Sequence, residues 1–180
     1  MHEKRFEGAP DRLRSVERVE RLEVERVIDL CMEGRQLNSV LDVGTGSGLF
    51  AEAFSKSGLS ISGVDANPEM LPAARQYVPA GDFREGTAEA LPYQDGSFDL
   101  VFLGLVLHES DEPLQALKEA RRVARLRVGI LEWPYREGVF GPPLAHRLNP
   151  EDLVGLFHQA GFQKWSMTEL TNTILYRLEL

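Results

Sequence analysis

Apolar positions change rhythm along the chain, and the changes mark its elements. Over residues 11–33, Val16, Val19, Leu22, Val27, Leu30 and Cys31 recur at roughly helical spacing. This predicts one long helix with mixed Arg and Glu on its other faces, stopped at Gly34. From residue 39 short apolar runs alternate with helical stripes. Strands are expected at 39–44, 60–65, 83–88, 98–107 and 127–133, and helices at 47–57, from Asn67-Pro68 onward, and at 111–125. The run at 98–107 is apolar enough for a central strand covered on both faces.

Strand–helix alternation implies right-handed crossovers and a parallel sheet with helices on both sides. The rhythm then breaks. Residues 134–150 hold four prolines and two glycines, so a loop or lid is expected there. A helix at 151–160 follows, and β-like segments around 163–169 and 173–179 flank the short turn at Thr171-Asn172. A turn that short permits only antiparallel pairing. The expected architecture is an α/β, Rossmann-like doubly wound sheet, seven-stranded and mostly parallel, with an antiparallel C-terminal strand. One domain is expected over 1–180, made of an N-terminal helical cap (1–35), an alternating strand–helix core (36–133) and a segment of loop, helix and β-hairpin (134–180).

Composition narrows the classes. A chain of 180 residues, 43% apolar and 27% charged, is ordinary for a globular protein. A net charge of −8 argues against broad attraction to nucleic acid or anionic lipid. The single cysteine, Cys31, excludes an intrachain disulfide and a cysteine metal cluster, and no metal site is expected. The charged start MHEKRFEG lacks a signal-peptide core, and LVFLGLVL at 100–107 is too short to span a bilayer. A cytoplasmic protein is the expectation.

The chemistry concentrates in LDVGTGSG at 41–48. Gly44 and Gly46 suit a tight strand-to-helix turn beside a ligand, and the following helix, expected near Ser47, would direct free N–H groups at it. Asp65 ends the next strand, where a carboxylate can accept from two ribose hydroxyls and repel a 2′-phosphate. Dinucleotide binding wants Gly-x-Gly-x-x-Gly, but Leu49 stands at the third glycine's place. Asp42, facing the loop, suits a ligand with a cationic amine better than a pyrophosphate. A ligand-free packing turn is the bland alternative.

These motifs resemble the class I S-adenosylmethionine-dependent methyltransferases, most closely the compact domain of ubiquinone- and menaquinone-biosynthesis-type enzymes. LDVGTGSG matches the first motif, GVDANPEML (63–71) the second, and AEALPYQDGSFDLVFLGLVLHE (88–109) the third block. The resemblance implies S-adenosylmethionine as cofactor and a small-molecule methyl acceptor. It implies a cofactor site of Asp42, Gly44, Thr45, Gly46 and Gly48 at the methionine end and Asp65 at the ribose. Ala66, Met70, Thr87, Ala88 and Glu89 would flank the adenine, and Leu103, Gly104 and Leu105 would lie beneath the cofactor. Many relatives carry an acidic residue where Thr87 stands, so the adenine amine contact would weaken here or pass to Glu89.

Methyl transfer from a sulfonium needs alignment, dryness and sometimes a base. His108 is the candidate base or acceptor-positioning group, a backbone-satisfying histidine being the alternative. Glu132, Trp133, Tyr135, Arg136, His146 and Arg147 form a candidate acceptor wall or a lid without catalytic residues. Phe6, Arg12, Arg14 and Arg18 could close over the cofactor carboxylate, although pairing of these arginines with neighbouring glutamates on a solvated helix is favoured. Lys118, Arg121, Arg122, Arg125 and Arg127 are expected on a solvated face. A non-catalytic binder of the cofactor stays open as an alternative, and so does a NAD-dependent oxidoreductase, against which Leu49 argues.

Overall fold

The computed structural model describes residues 13–180. Seven strands form one sheet: β1 (Ser39–Val43), β2 (Ser60–Asp65), β3 (Asp82–Glu85), β4 (Phe98–Gly104), β5 (Ala124–Glu132), β6 (Lys164–Glu169) and β7 (Ile174–Glu179). Their order is β3-β2-β1-β4-β5-β7-β6. The first five pair in parallel, while β7 runs antiparallel to both β5 and β6. This is the expected doubly wound sheet with its antiparallel end. Strand order reverses between β1 and β4, and the carboxyl ends of those strands frame a crevice there.

Helices cover both faces. α2 (Val24–Met32), α3 (Leu49–Lys56) and α4 (Leu71–Tyr77) bury Val27, Ile28, Phe54 and Ala74 on one side. α5 (Pro113–Val123) and α6 (Pro150–Gln159) bury Leu117, Ala120, Leu153 and Phe157 on the other. Every β4 residue from Phe98 to Leu103 is buried, as its unbroken apolar run demands. Phe102 packs against Phe50 and Phe54, with ring centroids 4.9 and 5.3 Å apart.

The long helix expected over 11–33 is two helices, and its first two positions lie outside the described residues. α1 (Val16–Arg21) opens on Ser15, whose hydroxyl accepts from the Arg18 N–H, and ends at Leu22. Glu23 then takes a left-handed φ of 48°. The β6–β7 turn holds the break. Thr171 donates its backbone N–H to the Glu23 carboxylate at 2.6 Å, and Asn172 donates its side-chain amide to the Arg21 carbonyl at 3.2 Å. These contacts bridge about 150 residues of sequence, so helical periodicity could not foresee them.

Smaller differences have local causes. β4 stops at Gly104 rather than 107, because Leu105 turns to φ 62° and donates its N–H to the Leu131 carbonyl. α4 begins at Leu71, since the Asn67 side chain caps a separate turn by accepting from the Glu69 N–H. The basic cluster is no solvated face throughout. Arg127 is buried on Glu179 and the carbonyls of Cys31 and Glu33, and Arg122 ties Glu119 and Asp95 to the carbonyls of Leu91 and Tyr93.

Candidate active site

A cavity of about 430 Å³ opens at the carboxyl ends of β1, β2, β4 and β5. Among the residues singled out from sequence, Gly44, Gly46, Asp65, Ala66, Met70, Thr87, Ala88, Glu89, Gly104, Leu105 and His108 line it. Asp42, Thr45, Gly48 and Leu103 do not. Asp42 is buried and accepts a hydrogen bond from the Thr45 hydroxyl at 2.8 Å, and burial pushes its carboxyl up to about 7. Leu103 points into the opposite core layer. Gly48 serves packing: at φ 76°, a Cβ there would come 3.0 Å from the Ala74 backbone, so its lack of a side chain lets α3 approach α4.

The glycine turn is occupied by the chain's own anion. Gly46 donates its N–H to one Asp65 oxygen at 2.7 Å, and Asn67 donates to the other at 2.8 Å. α3 starts at Leu49 rather than near Ser47, and the Gly44 and Thr45 N–H groups donate to the Val64 carbonyl and that of Gly48 to the Thr45 carbonyl, so the free amides expected at the turn are fewer. A carboxylate has about four acceptor positions, and two of those on Asp65 remain for a ligand. Burial raises the Asp65 pKa, opposed by the two amides. Gly44, at φ 67°, lies so close to Val106 that a Cβ would meet Cγ2 at 2.5 Å.

The wall at 86–89 is a tight turn, with the Ala90 N–H donating to the Thr87 carbonyl at 3.2 Å. Glu89 accepts from the Ser110 hydroxyl. Burial opposes the charge of Glu89, but hydrogen bonds led by that of Ser110 win and lower its pKa.

Across the cavity, His108 sits buried in a 3-10 turn over Leu107–Glu109. Its Nδ1 lies 2.8 Å from Glu132 Oε2, and its backbone N–H donates to Glu132 Oε1 at 3.1 Å. Nε2 lies 4.0 Å from Glu109. Burial disfavours the imidazolium, yet the Glu132 charge and hydrogen bond outweigh it and raise the pKa. Glu132 is therefore behind the wall as the partner of His108, while Trp133 lines the cavity.

The other residues of the expected acceptor wall divide. Tyr135 and Arg136 are exposed, His146 is half-buried, and Arg147 is a buried staple. Its guanidinium donates to the carbonyls of Pro134, Arg136, Phe140 and Pro142 at 2.6–3.0 Å, giving the proline-rich loop a defined shape. Gly141, at φ 87°, allows the loop to press on Trp133, where a Cβ would come within 2.6 Å of the indole.

The N-terminal arginines part company too. Phe6 and Arg12 lie outside the described residues. Arg14 pairs with Glu52, donates to the Ser47 carbonyl at 3.1 Å and stacks 3.5 Å from the Tyr77 ring centre. Arg18 lines the cavity, as do Leu13, Val106 and Pro142, which sequence reasoning missed. Leu13 is an ordinary helix-face apolar residue in the sequence. Nothing local marks it as the cover of Gly46, whose Cβ position is 3.0 Å from Leu13 Cδ1. Among the described residues no group of three or more His, Cys, Asp or Glu side chains is placed to hold a metal ion. No described helix is long and apolar enough to cross a membrane.

Comparison with known proteins finds relatives of the chain. The family described as a methyltransferase domain matches residues 41–127. A demethylmenaquinone methyltransferase from Chlorobaculum parvum is 38% identical over 95 residues, covering 52% of this chain and 39% of that protein. The chain thus spans about two fifths of that relative's length. A SAM-dependent methyltransferase from Aquifex aeolicus superposes with a TM-score of 0.83 at 23% identity, covering 96% of this chain and 99% of that one. The magnesium protoporphyrin IX methyltransferase of Synechocystis PCC 6803, solved with S-adenosylhomocysteine bound, gives 0.72 at 18% identity, covering 89% and 83%. At such identities the two structures speak for a shared fold.

Proposed function

The chain belongs to the class I S-adenosylmethionine-dependent methyltransferases, and we propose from that premise that it transfers a methyl group to a small organic acceptor. The observation that carries the proposal is the Asp65 carboxylate, anchored by two backbone amides at the carboxyl end of β2, lining the cavity beside the strand-order switch point, with acceptor capacity left over. That arrangement fits a ribose diol better than a phosphate, because a second anion beside Asp65 would be repelled. The cavity volume lies within the usual range for small-ligand sites, about 300–1,000 Å³. The residues present therefore fit S-adenosylmethionine.

In this proposal Asp65 holds the ribose hydroxyls, and the turn at Thr87, Ala88 and Glu89 borders the adenine, with the Ala88 N–H as donor and Ala66 and Met70 opposite. Gly44 and Gly46 leave room for the methionine end. Asp42, Thr45 and Gly48 support that turn from behind. When bound, the cofactor supplies an electrophilic methyl group on a sulfonium. His108 takes the acceptor's proton where the acceptor has one to lose, with Glu132 on Nδ1 favouring the tautomer whose free nitrogen is Nε2. Trp133 and the loop over 134–143 keep water from that side.

Calorimetric titration with S-adenosylhomocysteine, NAD and NADP tests the cofactor assignment, with binding expected for S-adenosylhomocysteine alone. Incubation with methyl-labelled S-adenosylmethionine and a panel of phenols, amines, thiols and carboxylic acids tests the activity. Cofactor binding with no labelled product across a broad panel would favour a non-catalytic binder instead.

A further inference from the structure

Arg18 is set apart from the other charges of the cavity. Among the described residues that line it, Arg18 is the one permanent cation, against the carboxylates of Asp65, Glu89 and Glu109. Asp65 and Glu89 are each engaged by donors of the chain. Arg18 is mostly buried, and its Nε is a buried donor with no hydrogen-bond partner. Burial lowers its pKa, and the like charge of Arg21 adds to that, so the fold places this cation at an electrostatic cost that Glu109 only offsets in part. An unpaired buried donor on a charged group costs more than a neutral one.

The position is built rather than incidental. The left-handed break at Glu23 ends α1, and Arg21 is held over the Phe140 ring of the proline-rich loop at 3.8 Å. At the other end of the segment, Leu13 covers Gly46 and Arg14 is fastened to Ser47 and Glu52. α1 therefore crosses the cavity mouth from the glycine turn to the loop, with Arg18 midway. A planar fork of N–H donors facing a ligand cavity matches a carboxylate in shape and charge.

We propose that Arg18 is the receptor for a carboxylate bound in this cavity. Two ligands could bring one: the amino-acid end of the cofactor, which rests on the function proposed above, or an acidic methyl acceptor. Calorimetry on wild type, Arg18→Gln and Arg18→Lys separates them. S-adenosylhomocysteine carries the carboxylate, and 5′-methylthioadenosine presents the same adenosyl thioether without it. Benzoate titrated into the S-adenosylhomocysteine complex probes an acceptor carboxylate.

For a cofactor carboxylate, Arg18→Gln weakens S-adenosylhomocysteine by about 10- to 100-fold, the loss typical of a charged hydrogen bond. Methylthioadenosine is unaffected, which also shows that the variant is folded, and Arg18→Lys recovers part of the loss. For an acceptor carboxylate, both adenosyl ligands bind the variant normally, while benzoate binds the wild-type complex and not Arg18→Gln. Equal losses for both adenosyl ligands would make Arg18 a packing residue and overturn the proposal, as would unchanged binding of all three. A wild type that binds neither adenosyl ligand overturns the cofactor assignment instead, and benzoate titrated into the ligand-free protein then decides Arg18.

Discussion

The two sides of the cavity are built differently. The side formed by β1, β2 and the 86–89 turn is backbone geometry: amides of Gly46 and Asn67 on Asp65, glycines at positive φ, and a tight turn at Thr87. Its partners are close in the chain or joined by parallel register. The side formed by α1, the end of β4 and the proline-rich loop is side-chain geometry: His108 on Glu132, Arg147 on four carbonyls, Arg21 on Phe140, Arg18 into the cavity. A site that keeps one ligand while changing its partner is served by that division. The backbone side is hard to alter one residue at a time, and the side-chain side is easy.

Arg147→Met should give the largest effect and should stay on its own side. A hydrogen bond to a charged group contributes about 1.5–3 kcal/mol. Losing even two of the four therefore destabilises the loop by about 3–6 kcal/mol locally. Hydrogen exchange of residues 134–143 should quicken while S-adenosylhomocysteine affinity stays near wild type. If the affinity collapses with the loop, the two sides are not separable.

Gly44→Ala probes the seam where Val106 of one side meets the glycine turn of the other. The left-handed conformation costs a non-glycine residue about 1–2 kcal/mol, and overpacking against Val106 adds about 1–3. Urea unfolding should show a loss of about 2–5 kcal/mol in total. Gly34→Ala is the control, since Gly34 has a similar φ of 71° and nothing within 4 Å of its Cβ position. It should lose the conformational part alone, about 1–2 kcal/mol. Equal losses would mean that Val106 yields freely and the seam is loose.

The same division explains what could be read before folding. The sheet, its antiparallel end and the placement of Gly44, Gly46 and Asp65 at one cavity follow from short-range signals: apolar runs, a glycine turn, an acid at a strand end. The break at Glu23 is different, because an exposed turn far along the chain imposes it on a sequence whose own periodicity is helical. Arg18 and Arg147 look alike in sequence, each an arginine between a polar and an apolar neighbour. Only the distant carbonyls and walls around them make one a cavity residue and the other a staple. Asp42 shows the reverse error. A carboxylate beside the glycine turn looked as though it faced the ligand, and strand alternation with the Thr45 hydroxyl turns it inward.

Asp65→Ala should come next in size, and it tests the backbone side. A hydrogen bond from the ribose to a charged group would be lost, and the expected fall in S-adenosylhomocysteine binding is about 1.5–3 kcal/mol. Asp65→Asn is the sharper form, since it keeps one acceptor for the Gly46 N–H and should lose less. Unchanged affinity in either variant refutes the ribose assignment.

The smallest effect belongs to the best-buried polar pair of the side-chain side. Glu132 raises the His108 pKa against the opposing pull of burial, with Glu109 assisting and Arg147 opposing. A histidine with a raised folded-state pKa stabilises the fold fully below its unfolded value, about 6.5. That stability is lost as pH rises through the folded value. The unfolding free energy of wild type should therefore decline across the window starting near pH 6.5. Glu132→Gln removes the charge, so the His108 pKa should fall and the decline should flatten. Imidazole titration by NMR reads the pKa directly, and urea unfolding at several pH values reads the linkage. If the His108 resonance titrates identically in both proteins, Glu132 merely fixes the turn at Leu107–Glu109. The side-chain side would then hold no tuned base, and its chemistry would rest on Arg18 and the shape of the wall.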